Sequence, residues 1–76
     1  MGRTFDEVFG DATLAEIRDA VAEHQGDAEV FARAYMTSMW PSWGRDYEEE
    51  GVSFEDAVAA AALLARQAVE RAEEDE

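Results

Sequence analysis

Ser53-Phe-Glu-Asp-Ala-Val-Ala-Ala-Ala-Ala-Leu-Leu-Ala65 is the stretch on which the fold turns. Its opening residues signal a helix. The Ser53 hydroxyl is placed to accept from a first-turn amide, and Glu55 and Asp56 sit where the helix dipole is positive. Phe54, Val58, Ala61, Ala65, Ala68 and Ala72 then recur at helical spacing and trace a core stripe. Residues 57–65 carry no charge on any side, however, and Leu63 points nearly opposite Ala61 and Ala65. A helix apolar all round is normally buried all round. Either this helix is the central one of its bundle, or a second copy of the chain covers its far face. Residues 71–76 are charged and are expected to fray.

Upstream, Pro41-Ser-Trp-Gly-Arg-Asp-Tyr-Glu-Glu-Glu-Gly51 reads as the one true loop. Pro41 disfavours helical geometry at Trp40. The preceding helix is therefore expected over residues 28–39, capped by Asp27, with Val30, Phe31, Ala34, Tyr35 and Met39 sharing its apolar side. Thr13-Leu-Ala-Glu16 has the spacing of a capping box. Leu14, Ile17, Val21 and His24 follow it on one stripe, and Gly26 offers a left-handed stop. Thr4-Phe-Asp-Glu7 repeats the box and starts a single turn that Gly10 closes. No segment alternates with period two for long enough to make a strand. The expectation is an all-α fold, a small three-helix bundle with a short N-terminal helical turn, forming one domain over residues 1–76. Its core is expected to comprise Phe5, Val8, Leu14, Ile17, Val21, Phe31, Tyr35, Phe54, Val58, Ala61 and Leu64.

Composition narrows the function. The chain has six Arg, no Lys and 19 Asp plus Glu, for a net charge of −13 over 76 residues. Phosphate recognition needs Lys and Arg to displace condensed counterions, so direct nucleic-acid binding is not expected. The same sign opposes docking on an anionic membrane. The longest uncharged apolar run, nine residues, falls far short of the roughly 20 that span a bilayer. The Met1-Gly-Arg-Thr-Phe-Asp-Glu7 end lacks a signal peptide's apolar stretch, which makes the cytoplasm the expected location. Without Cys there is no disulfide, no thiolate metal site and no Cys nucleophile. Alanine supplies 15 of the apolar residues, so the core is thin. Chains below roughly 70–80 residues seldom gain more than about 3–5 kcal/mol from their core.

Catalytic constellations are not evident, and no enzyme, cofactor or metal is expected. His24 is the only histidine. It lies at a helix C-terminus, where a cation is favoured, and one His beside Glu23 and Asp27 does not supply the convergent ligands of a metal centre. Ser38, Ser42 and Ser53 lie in no nucleophile pattern. The glycines form no phosphate-binding loop, and Glu48-Glu-Glu50 lacks the alternating ligand spacing of a calcium loop.

Interaction chemistry is better represented. Tyr35-Met-Thr-Ser-Met-Trp-Pro-Ser-Trp-Gly-Arg-Asp-Tyr47 concentrates the residue types enriched at interfaces. Two readings stand for it: aromatics building the core of a leucine-poor protein, or a partner surface. Trp40, Trp43, Arg45, Tyr47 and Leu63 are the candidate partner-binding residues, the partner being another protein or a second copy in a homodimer. The acidity is expected to serve solubility or a high-salt interior. The alternative is a polyanion mimic that blocks a nucleic-acid-binding protein. Its acidic face would be Glu16, Asp19 and Glu23, spaced roughly 5 Å apart along one helix, with Arg18 partly neutralising the ladder.

Overall fold

A computed structural model describes residues 5–74. The expected cap at Thr4, and Phe5 as a core side chain, lie outside what is described. The fold is all-α: four helices and no strand among the described residues. They are α1 (Phe5–Phe9), α2 (Leu14–Glu23), α3 (Ala28–Glu49) and α4 (Phe54–Glu74).

The helix starts follow the caps. Thr13 Oγ1 accepts from the Glu16 amide at 3.1 Å. Asp27 Oδ1 accepts from the amides of Glu29 at 2.9 Å and Val30 at 3.4 Å. Ser53 Oγ accepts from the Asp56 amide at 3.2 Å. Each side chain satisfies a donor that the helix itself leaves without a partner.

The helix ends hold two corrections. α3 does not stop before Pro41; it continues through the proline to Glu49. Pro41 removes one amide donor and crowds the Thr37 carbonyl, at a cost of about 3 kcal/mol. Against that, the longer helix turns Trp40, Trp43 and Tyr47 inward together, and burying a large apolar side chain contributes about 1.5–3 kcal/mol apiece. Burial wins. The helix stops at Gly51 instead, where φ is +80° and the Val52 amide reaches back to the Tyr47 carbonyl at 2.8 Å. The second correction is at the C-terminus. Residues 71–74 remain helical, with Ala72 buried, rather than fraying.

The buried side of α3 also differs from the expected one. The buried stripe runs through Ala28, Phe31, Ala32, Met36, Gly44 and Tyr47. Val30 and Ala34, expected inside, face out. Tyr35, Leu14, Phe54 and Leu64 are partly buried against the core, while Val8, Ile17, Val21, Phe31, Val58 and Ala61 lie fully within it.

α4 is the central element, packed along both α3 and α2, which touch each other far less. Its small side chains explain that position. Ala57, Ala61, Ala65 and Ala68 are almost wholly buried, and without longer side chains the neighbouring helices approach closely. The volume alanine leaves is filled from α3 by rings. Phe9, Phe31, Tyr35, Trp43, Tyr47, Trp40 and Phe54 form an unbroken chain of ring contacts with centroids 5.1–6.4 Å apart. Such pairs add about 0.5–1.5 kcal/mol beyond the area they bury. Tyr35 also donates its hydroxyl to the Val8 carbonyl at 2.7 Å, which ties α1 to α3.

Candidate functional site

Among the described residues two large apolar side chains are conspicuously exposed, Val30 at 44% and Leu63 at 53%. They lie on either side of one salt bridge. Arg33 on α3 donates from both terminal nitrogens to the two carboxylate oxygens of Glu55 on α4, at 2.7 and 3.0 Å. This bidentate pair is solvated, so its worth is modest. Hydrogen bonding to Arg33 lowers the Glu55 pKa from its ordinary value, and hydrogen bonding to Glu55 raises that of Arg33.

Alongside the pair runs a groove of about 350 Å³, floored by Val58, Ala59 and Ala62 and edged by Glu29, Arg33, Glu55, Leu63 and Arg66. Helical spacing produces it. Glu55, Ala59, Ala62 and Arg66 recur at three- and four-residue intervals on α4, and the two alanines between the charges leave the hollow. The outer side of α3, with Val30, Ala34 and Thr37, continues the surface beyond Arg33. This face offers apolar contact with a balanced charged rim.

The expected partner residues divide between two places. Trp40 stacks on Tyr47 with centroids 5.5 Å apart and meets Phe54 edge-on at 5.1 Å. Trp43 leans on Tyr35 and Tyr47. Tyr47 is 3% exposed and its ring is committed to the core. Arg45 is exposed on the far side of α3 from these rings. Leu63 stands apart from the aromatic segment, at the α4 groove. Of the residues around the groove, Glu29, Arg33 and Arg66 escaped the sequence reading, and Glu55 entered it only as a carboxylate at a helix start. The Arg33–Glu55 pair spans 22 positions, and only the fold sets it.

Glu16, Asp19 and Glu23 are all exposed on α2, and Arg18 sits 3.5 Å from the Asp19 carboxylate. At the end of that helix His24 Nδ1 lies 2.8 Å from the Ala20 carbonyl oxygen. A carbonyl only accepts, so Nδ1 carries the proton. The ring also meets Phe31 edge-on. Among the described residues no group of three or more His, Asp or Glu is arranged to hold a metal ion, and no helix is long and apolar enough to cross a membrane.

No protein-family model, curated protein or solved structure matches this chain.

Proposed function

We propose that the chain is a small noncatalytic protein that acts by protein–protein contact, associating with itself through the α3–α4 face that bears Leu63 and Val30. In this reading α2, α3 and α4 act as one three-helix bundle on which α1 is laid. One observation carries the reading: Leu63 is more than half exposed, a large apolar side chain set among the charged and polar residues of the solvent side of α4. The large negative charge keeps the molecule dispersed in the cytoplasm or in a high-salt interior, away from nucleic acid and membranes. Trp40 and Trp43 support the contact by stiffening α3, whereas Arg45 is exposed on another side of that helix.

The test is the solution mass of three variants. Leu63→Glu and Val30→Glu place a carboxylate on the face and are expected to give monomers with unchanged helicity. Arg45→Glu is expected to associate like the parent chain. Association retained by a folded Leu63→Glu variant contradicts the reading.

A second reading, a polyanion mimic, draws support from the exposure of Glu16, Asp19 and Glu23 on one helix. It expects competition with DNA for a basic protein, abolished when all three are changed to Lys. Unaltered competition by that variant ends it.

A further inference from the structure

We infer that the occupant of the α4 groove is the α4 of a second copy, antiparallel and in one register: Glu55 opposite Arg66 of the partner subunit, and Ala59 opposite the partner's Ala62. The inference rests on the self-association reading and deepens it by fixing the arrangement.

Charge selects the occupant. The chain carries −13 overall, so two copies repel over most of their surfaces. The groove is an exception, because Arg33 and Arg66 balance Glu29 and Glu55 around it. Arg66 has no ion-pair partner among the described residues, and Glu55, though held by Arg33, is still exposed. A carboxylate has about four lone-pair positions, so Glu55 accepts from a second guanidinium without releasing the first.

Geometry selects the register. A twofold contact is isologous, so whatever residue i meets at j, residue j meets at i. A parallel arrangement sets Glu55 against Glu55 and Arg66 against Arg66, and like charges oppose it. An antiparallel arrangement centred on Leu63 sets Glu70 against Asp56 and leaves Arg66 facing alanine. Centring it between Ala60 and Ala61 pairs Glu55 with Arg66 twice. It also brings the side-chain-poor Ala59 and Ala62 to the point of closest approach. The exposed Leu63 then flanks the partner's Ala59, the exposed alanine of the groove.

Charge exchange tests it. Glu55→Arg puts Arg opposite Arg, and Arg66→Glu puts Glu opposite Glu. Each single variant is expected to weaken self-association about tenfold or more. An equimolar mixture of the two restores both contacts in a heterodimer, and the double variant Glu55→Arg/Arg66→Glu restores them in a homodimer. Sedimentation equilibrium reads all four samples, with circular dichroism confirming equal helicity. Recovery in the mixture and in the double variant is the expected result. Single variants that associate as tightly as the parent overturn the register while leaving self-association intact, and a double variant as weak as the singles overturns it as well. A parent chain that is monomeric throughout overturns both.

Discussion

The indole of Trp40 lies directly over Gly44, one turn along α3: a Cβ built on Gly44 would meet the indole Nε1 at 2.9 Å and two ring carbons at 3.0 Å. The indole has little freedom to yield, since it is stacked on Tyr47 and edged by Phe54. Gly44→Ala ordinarily adds about 1 kcal/mol of helix propensity, but overpacking costs about 1–3 kcal/mol. The clash is with the body of a rigid ring, so we expect net destabilisation of about 1 kcal/mol together with a shifted tryptophan emission. Urea titration followed by fluorescence checks both. A more stable variant with unaltered emission would show that Trp40 does not sit where this packing puts it.

Gln25 is the one described residue other than glycine in the left-handed region, with φ of +65°. It occupies the position just past the α2 cap, where the Gly26 amide reaches back to the Val21 carbonyl at 2.9 Å. Glycine favours that position because a Cβ there costs about 1–2 kcal/mol. Gln25→Gly should therefore raise stability by about 0.5–1 kcal/mol after glycine's extra chain entropy is deducted. Thermal unfolding midpoints measure this directly, and a lower midpoint contradicts the assignment.

Tyr35 links pH to stability. Its pKa is raised above the ordinary 10.0 by burial first, and by the proximity of Tyr47 second. A folded value above the unfolded one means that the folded chain holds its proton longer. The stabilisation is complete below the unfolded pKa and is lost as pH climbs from about 10 through the folded value. Tyr35→Phe should remove this alkaline loss. At neutral pH the same variant should cost about 1–3 kcal/mol, because the Val8 carbonyl forfeits its donor. Chemical denaturation from pH 8 to 11 tests both parts; an equal alkaline loss in both proteins contradicts the first.

Much of this was legible in the sequence. Thr13, Asp27 and Ser53 start their helices because a side-chain oxygen beside free amides is a local matter, readable from neighbouring residues alone. The uncharged run 57–65 marked α4 as either central or covered by a second copy, and the small alanines let the neighbouring helices approach it closely. Pro41 misleads because its penalty is local and visible, whereas the burial that outweighs it depends on rings meeting Phe9 and Phe54 from elsewhere in the chain. The direction of Val30 was missed as well, because the buried stripe of α3 runs through Ala32 and Met36. Leu63 stood out by its position on the helix, but its groove could not, because Arg33 and Glu29 arrive from a different helix.

Salt should stabilise this protein rather than weaken it. The interhelical ion pair of Arg33 and Glu55 is exposed and has little to lose by screening, whereas the −13 net charge opposes compaction and association alike. The Debye length falls from about 10 Å at 0.1 M to about 3 Å at 1 M. Unfolding midpoints and self-association should both increase across that range, as read by circular dichroism and light scattering. A midpoint that falls with salt would mean that attraction between charges, not repulsion, governs the fold.

Self-association through the α4 groove is the centre of the account, and the solution mass of the unaltered chain tests it most directly. Sedimentation equilibrium at moderate salt, over a hundredfold range of concentration, should show a shift from the 8.4 kDa monomer to twice that mass as concentration rises. A single mass of 8.4 kDa at every concentration and at molar salt would contradict it.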